Sequence, residues 1–286
     1  MDQPSVRHPV VRRPVVAGQF YPGDAAPLAA QVQAFLAPAV PLRRDAGRLF
    51  GFMLPHAGYV YCGGIIGATL SGAELPKKIV ILCPNHTGQG QPLGVWPDGA
   101  WLTPLGPVPV DEALAAALCA TDGGYAPDVH SHLREHSIEV LLPFLHGRQV
   151  GIAPVCVGTR HPAALRAAGL ALAAVLKEQE KQGVEVCVVV SSDMNHYESE
   201  QRTLEKDALA LEQALAGDPD GLLRVVEREN ITMCGAGPLA LALYAANALG
   251  RLEVELARHD TSARASGDSR RVVGYAGLRM YVNGEQ

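Results

Sequence analysis

Three passages of this chain share one arrangement: an apolar run, a break, and then a histidine. In "LFGFMLPHAGYVYCGGIIG" the run ends at Leu54, Pro55 breaks it and His56 follows. In "IVILCPNHTGQGQP" Pro84 closes the run ahead of Asn85 and His86. In "VEVCVVVSSDMNHYES" the run to Val190 gives way to Ser191, Ser192, Asp193, Asn195 and His196. Neutral imidazole binds iron, zinc or copper, and a rigid strand end holds each ring at a fixed angle. One such histidine reads as a loop residue satisfied by backbone or water; three in the same grammatical place read as a site.

Converging histidines need a further donor. Cys234, in "ENITMCGAGPLALALYAANALG", precedes a glycine-flanked turn and the amino end of an apolar helix. Unpaired amides and the helix dipole there predict a lowered thiol pKa and a thiolate able to ligate metal. Without the histidines Cys234 would read as a small buried residue at the start of a packed helix. A rival lies in "VHSHLREHSIEVLLPFLHG", where His132, Glu135 and His136 match the inverted zinc-peptidase pattern HxxEH. On a helix His132 and His136 would share a face and bind zinc, with Glu135 as general base. The pattern is loose, and Pro127 stands close enough to His132 to put the helical geometry in question.

The elements that must aim these residues follow from the pattern. Short β-branched runs alternate with alanine- and leucine-rich segments of helical period, which predicts a single α/β domain over residues 1–286, with a central, mostly parallel sheet flanked by helices. Expected strands are Leu49 to Leu54, Ile79 to Cys83, Val150 to Val157, Val184 to Val190 and Val272 to Met280. Expected helices start near Asp111, His161 and Glu205, with Asp111 as a cap, Pro162 in a first turn and Gly183 as a stop. In an open sheet of this kind the carboxyl ends of parallel strands face one crevice, so histidines leaving three of them can meet.

Bulk properties exclude several classes. Charged residues are 19% of the chain, no apolar run reaches the length of a membrane span, and the first residues lack the continuous apolar core of a secretory signal. The expectation is a cytoplasmic protein. The six cysteines include no CxxC pair, and Cys83, Cys156 and Cys187 sit in apolar runs, as reduced core thiols do. A net charge of −5 with scattered basic residues leaves no footprint for nucleic acid or anionic membrane, so the expected partner is a small-molecule substrate or another protein.

Seven ordered blocks, "RRPVVAGQFYP", "PHAGYVYCG", "CPNHTG", "REHSIEVLLPFL", "SSDMNHY", "MCGAGP" and "SGDSRRVVGYAGL", resemble the MEMO family, known in bacteria and archaea as AmmeMemoRadiSam system protein B. The resemblance spans almost the whole chain and implies the fold of the class III extradiol ring-cleaving dioxygenases. By matched position it implies metal ligation by His56, His86 and Cys234, with Asp193 and His196 beside the metal and Glu135, His136 and Glu139 lining the substrate pocket; Tyr197, next to His196, is a further candidate for that pocket. Extradiol enzymes use a carboxylate where this chain has a thiol. Iron(II) is the expected ion, with copper and zinc as competitors favoured by the softer sulfur.

Together these imply a mononuclear non-heme iron oxidoreductase of dioxygenase type acting on a small phenolic substrate. His196 would serve as acid and base, with Asp193 either fixing its tautomer or holding a ligand histidine. The same resemblance allows a non-catalytic metal-binding adaptor, and the family's bacterial name implies radical-SAM and AMMECR-type pathway partners. A zinc peptidase built on His132 and His136 is the third alternative.

Overall fold

The runs FGFML, IVILC, IAPVCV and VCVVV form the middle of a nine-stranded sheet. The computed structural model describes residues 10–37, 42–43 and 47–284. The first part of the N-terminal stretch, read above as lacking a secretory signal, lies outside the described residues.

The chain opens with β1 (Val11–Arg12), α1 (Ala25–Leu36), β2 (Arg48–Leu54), α2 (Tyr59–Leu70), β3 (Lys78–Pro84), β4 (Leu93–Val95), β5 (Ala100–Thr103) and β6 (Gly106–Pro109). There follow α3 (Glu112–Cys119), β7 (Ala126–Pro127), a 3-10 helix (Glu139–Leu145), β8 (Gly151–Val157), α4 (Pro162–Lys181), β9 (Val186–Ser191) and β10 (His196–Glu198). The last elements are α5 (Glu200–Leu215), α6 (Pro219–Arg228), α7 (Ala236–Leu249), β11 (Arg251–Thr261), α8 (Ala263–Ser266) and β12 (Val272–Asn283).

The large sheet runs β10-β12-β2-β9-β3-β8-β4-β7, with β11 paired to β12. Its centre, β2-β9-β3-β8, is parallel throughout. Pairings of β12 with β2, β10 and β11, and of β4 with β8, are antiparallel, so the expected parallel sheet forms the heart of a mixed one. Parallel strands buried on both faces read as continuous apolar runs, which is why these four were visible. β11 was not anticipated: "RLEVELARHDT" alternates charged and apolar residues, the pattern of a half-buried strand, and most of its residues are partly exposed.

Register brings the site together. Leu54 pairs with Ser191 and Leu82 with Val190, so β2, β9 and β3 end level and release His56, Asp193 and His86 over the same rim. Gly51 permits the pairing of β2 with β9, since a Cβ there would lie 1.8 Å from the Val188 carbonyl oxygen. Asp111 caps α3 by accepting the Leu114 N–H at 2.9 Å, and Pro162 opens α4. Helix α5 begins at Glu200, earlier than expected, because the Ser199 hydroxyl caps it through the Arg202 N–H. Among the described residues no helix is long and apolar enough to cross a membrane.

The segment between β7 and the 3-10 helix is made of turns, not an α-helix. His132 and His136 therefore do not share a helical face. His132 is fully buried, its Nε2 bonded to the Gly94 carbonyl at 2.9 Å and its ring edge-on to Trp96 and Trp101. It is a core histidine, and the geometry of a zinc peptidase is missing.

Candidate metal centre

His56, His86 and His136 meet at the floor of a cavity of about 940 Å³, their nearest ring nitrogens all within 4.8 Å of one another. Their ring centroids are 5.1 to 5.5 Å apart. The strand exits supply the first two rings. His136 arrives from the turn segment, which is tied to β9 by the Ser191 hydroxyl donating to the Ser137 carbonyl at 2.7 Å.

Hydrogen bonds behind the rings select which nitrogens face inward. His56 Nδ1 lies 2.7 Å from Ser191 Oγ. That hydroxyl already gives its proton to Ser137, so it accepts from Nδ1–H and leaves the His56 Nε2 lone pair facing inward, 3.4 Å from the Cys234 thiol. His86 Nδ1 lies 2.9 Å from Glu135 Oε1, and the His86 backbone N–H donates to Glu135 Oε2 at 2.7 Å. Burial pushes the Glu135 carboxyl upward, but the hydrogen bonds and charge from His86 and Ser137 outweigh it and hold the pKa down to about 2. An ionised Glu135 therefore receives Nδ1–H and turns His86 Nε2 to the cavity. A histidine fixed from behind by a carboxylate or carbonyl is the usual companion of metal ligation.

Electrostatics favour neutral rings at His56 and His136. Burial, with the neighbouring imidazoles His136 and His86, drives the His56 pKa well below its ordinary value, and burial lowers that of His136. His86 moves the other way, because Glu135 outweighs its desolvation. Three ring nitrogens within 4.8 Å of one another, with His56 and His86 turned Nε2-inward by the partners of their Nδ1 atoms, are a donor set that fits a bound metal ion.

Cys234 Sγ is 3.4 Å from His56 Nε2 but does not join His86 and His136 in the same close group. Its place is set by Gly235, whose N–H donates to Ser192 Oγ at 3.1 Å and whose missing Cβ would lie 2.3 Å from the Ser192 Cβ. The turn before α7 thus presses against the exit of β9. The thiol pKa is raised, not lowered: burial dominates, and the Asp193 carboxylate adds to it. A bound cation would reverse that balance. The strand-exit grammar grouped His56, His86 and His196, and the resemblance implied Cys234 as the third ligand; the imidazole that completes a tight trio with His56 and His86 is His136.

Asp193 also differs from one of its two expected roles. Its Oδ1 accepts the His56 backbone N–H at 2.8 Å, so it steadies a histidine of the trio. The tautomer of His196 is set elsewhere. His196 Nδ1 is 2.8 Å from the Thr232 carbonyl, and its backbone N–H donates to Thr232 Oγ1 at 2.7 Å. Nδ1 must carry the proton to donate to a carbonyl, leaving Nε2 as the free, basic nitrogen of a side chain that lines the cavity. Thr232 in turn is held by Asn195 Oδ1, which accepts its N–H at 3.1 Å.

Glu139 is not at the cavity surface. It is fully buried, paired with Arg12, and accepts from the Val15 and Val16 N–H groups and from the Tyr21 hydroxyl at 2.7 Å. It anchors the N-terminal segment that contributes Phe20 and Tyr21 to the wall. Tyr197 does line the cavity, at its mouth. Ser191, Ser137 and Thr232 were not assigned roles from sequence. The "SS" at the end of β9 was a usable signal for Ser191; Thr232 carries none.

The fold and the site define an α/β protein with a candidate three-histidine metal centre at the carboxyl edge of a parallel sheet. A family model for Memo-like protein matches residues 12–279, and the chain belongs to that family. It is 39% identical over 279 residues to a MEMO1 family protein of Methanopyrus kandleri, covering 93% of this chain and 98% of the relative. It is also 39% identical over 285 residues to one from Thermotoga maritima, covering 94% and 99%. An uncharacterized protein of Escherichia coli K12 is similar in fold, with a TM-score of 0.56 at 13% identity over 82% of this chain and all of the other.

Proposed function

We propose that this Memo-like protein is a mononuclear non-heme iron oxidoreductase of the ring-cleaving dioxygenase type, acting on a phenolic small molecule. The observation that carries the reading is the convergence of His56, His86 and His136 at the floor of an aromatic-walled cavity whose rim holds His196 with a free Nε2. His56, His86 and His136 would hold the ion, with the Cys234 sulfur beside His56 as a further soft donor. The ion would supply a Lewis acid and a redox centre for the phenol and oxygen.

The chain's own residues do the rest. Ser191 and Glu135 keep the Nδ1 protons of His56 and His86 out of the cavity. Asp193 holds the backbone of His56, and the rings of Phe20, Tyr21 and Tyr275 give the cavity an aromatic wall. His196 Nε2 takes the phenolic proton and returns it, while Nδ1–H stays on the Thr232 carbonyl.

Purification without oxygen, followed by metal analysis of wild type, His56→Ala and His136→Ala, tests the donor set. About one iron per chain in the wild type, lost in both variants, is expected. Oxygen uptake is then followed with catechols and aminophenols. Bound metal with no oxygen consumption for any phenol would make the chain a metal-holding protein instead, and zinc or copper in place of iron would replace the redox assignment.

A further inference from the structure

The cavity is large for a one-ring phenol. At about 940 Å³ it lies at the upper end of the roughly 300–1,000 Å³ that accommodates a drug-sized ligand. Six of its lining residues are Phe20, Tyr21, Tyr59, Tyr61, Tyr197 and Tyr275, and among the described residues none of the lining side chains is a lysine or arginine. The histidine trio occupies only the floor.

The mouth carries the most informative feature. Tyr197 has φ of 64°, in the left-handed region that a bulky side chain seldom enters. Its neighbours hold it there. His196 and Glu198 both pair with β12 across a register shift, His196 is bonded to Thr232, and Glu198 is bonded to Asn195 Nδ2 at 2.7 Å and Lys206 Nζ at 2.8 Å. Glycine or asparagine would satisfy this backbone at less cost. The tyrosine ring gains little from burial in return, being 64% exposed, and the Arg271 guanidinium 4.9 Å above it fixes its attitude. Across the opening, the first turn of α2 presents Val60 and Tyr61, 69% and 42% exposed. Backbone strain of this kind gathers where a ligand is clamped.

We propose that Tyr197, Tyr61 and Val60 form an outer subsite for a second, uncharged aryl ring, so that the ligand of this cavity is an aryl-extended phenol rather than a single-ring one. The phenolic end rests on the metal reading given above; the outer ring does not. An aromatic ring seated between Tyr197 and Tyr61 would gain offset or edge contacts beyond its burial. Among the described residues no lysine or arginine lines the cavity, and the Arg271 guanidinium is already stacked on the Tyr197 ring, so a carboxylate or phosphate on that outer ring would have to give up water and draw Arg271 off the ring to gain a partner.

Phenol, 4-phenylphenol and 4-phenylphenol carrying a carboxylate on its distal ring serve as probes, measured by calorimetry against chelator-treated protein and against protein reloaded with iron. The second ring is expected to tighten binding about tenfold or more in both forms. Tyr197→Ala and Tyr197→Gly should each cut that gain to less than about threefold, read as the ratio of 4-phenylphenol to phenol affinity within the same variant. Tyr197→Gly should also melt at a higher temperature than Tyr197→Ala, because it alone relieves the backbone. The distal carboxylate should remove most of the gain.

Any of four results would overturn the subsite: equal affinity for phenol and 4-phenylphenol, a gain unchanged in Tyr197→Ala, equal affinity for the carboxylated probe, or no measurable binding of 4-phenylphenol at millimolar concentration. Failure of the metal reading would look different. Iron content would then be the same in His56→Ala and wild type, while the ring-to-ring affinity ratio of metal-free protein stayed as predicted.

Discussion

Glu135 takes both N–H groups of His86, the ring Nδ1–H on Oε1 at 2.9 Å and the backbone N–H on Oε2 at 2.7 Å. The pair fixes ring orientation and tautomer together, so the carboxylate should count for nearly as much as a ligand. Glu135→Gln is expected to lower metal affinity by about 10–100-fold, since an amide can present its NH₂ to Nδ1 and turn the ring's proton toward the cavity. Competition with a chelator of known affinity reads the change. Affinity equal to wild type would mean that His86 is oriented by something else.

How much of this site was legible in the sequence follows from how each residue arrives. His56, His86, Asp193 and His196 leave parallel strands directly, so an apolar run and a break marked them. His136 sits in a turn segment with no period, brought to the trio by bonds between Glu135 and His86 and between Ser137 and Ser191, 49 and 54 residues apart. Nothing local encodes such contacts, and the same letters looked like a peptidase motif. β11 escaped because its alternation places charges on a partly exposed face. Glu139 was mistaken for a cavity residue because its partner Arg12 lies 127 residues away.

The buried pair of Arg12 and Glu139 closes the N-terminal segment over the core, with Arg12 1% and Glu139 0% exposed. Removing one partner strands the other charge without water. Glu139→Ala is expected to destabilise the fold by about 3–5 kcal/mol, measured by urea unfolding. The double variant Arg12→Met/Glu139→Leu should recover only part of this, because the Val15 and Val16 N–H groups and the Tyr21 hydroxyl would still lose their acceptor. Full recovery would show that Glu139 matters only to Arg12.

Asp128 gives a stability handle outside the histidine trio. It accepts backbone N–H groups from Gln91 at 2.8 Å, His130 at 2.8 Å and Ser131 at 3.3 Å. Burial raises its pKa, but these bonds outweigh that and leave it below the ordinary value. A carboxyl depressed in the folded state contributes stability above its unfolded pKa, near 3.9, and loses it as pH falls through the folded value. Asp128→Asn should therefore cost about 1.5–3 kcal/mol at pH 6, with the gap to wild type narrowing as pH falls below the unfolded value. Urea midpoints of both proteins across pH 2.5–6 check it. A gap constant across that range would mean the charge contributes nothing.

His196 stands apart from the trio, and that separation makes its role testable. Its Nδ1–H is engaged by a backbone carbonyl that no side-chain substitution can delete, so Nε2 stays the free nitrogen as long as Thr232 holds its place. Thr232 is held through Asn195 Oδ1, and the Asn195 N–H donates to the buried Asp207 at 2.9 Å. Loss of the His196 ring should therefore leave the metal where it is and slow only proton transfer. His196→Ala is expected to keep the wild-type metal content and to lower kcat about 10²–10⁴-fold. Asn195→Ala keeps the ring but loosens Thr232; its signature should be a population of the Nε2–H tautomer of His196 in ¹⁵N NMR, with a smaller fall in kcat. Metal loss in His196→Ala would instead make the ring part of the coordination, and unchanged turnover would remove it from the chemistry.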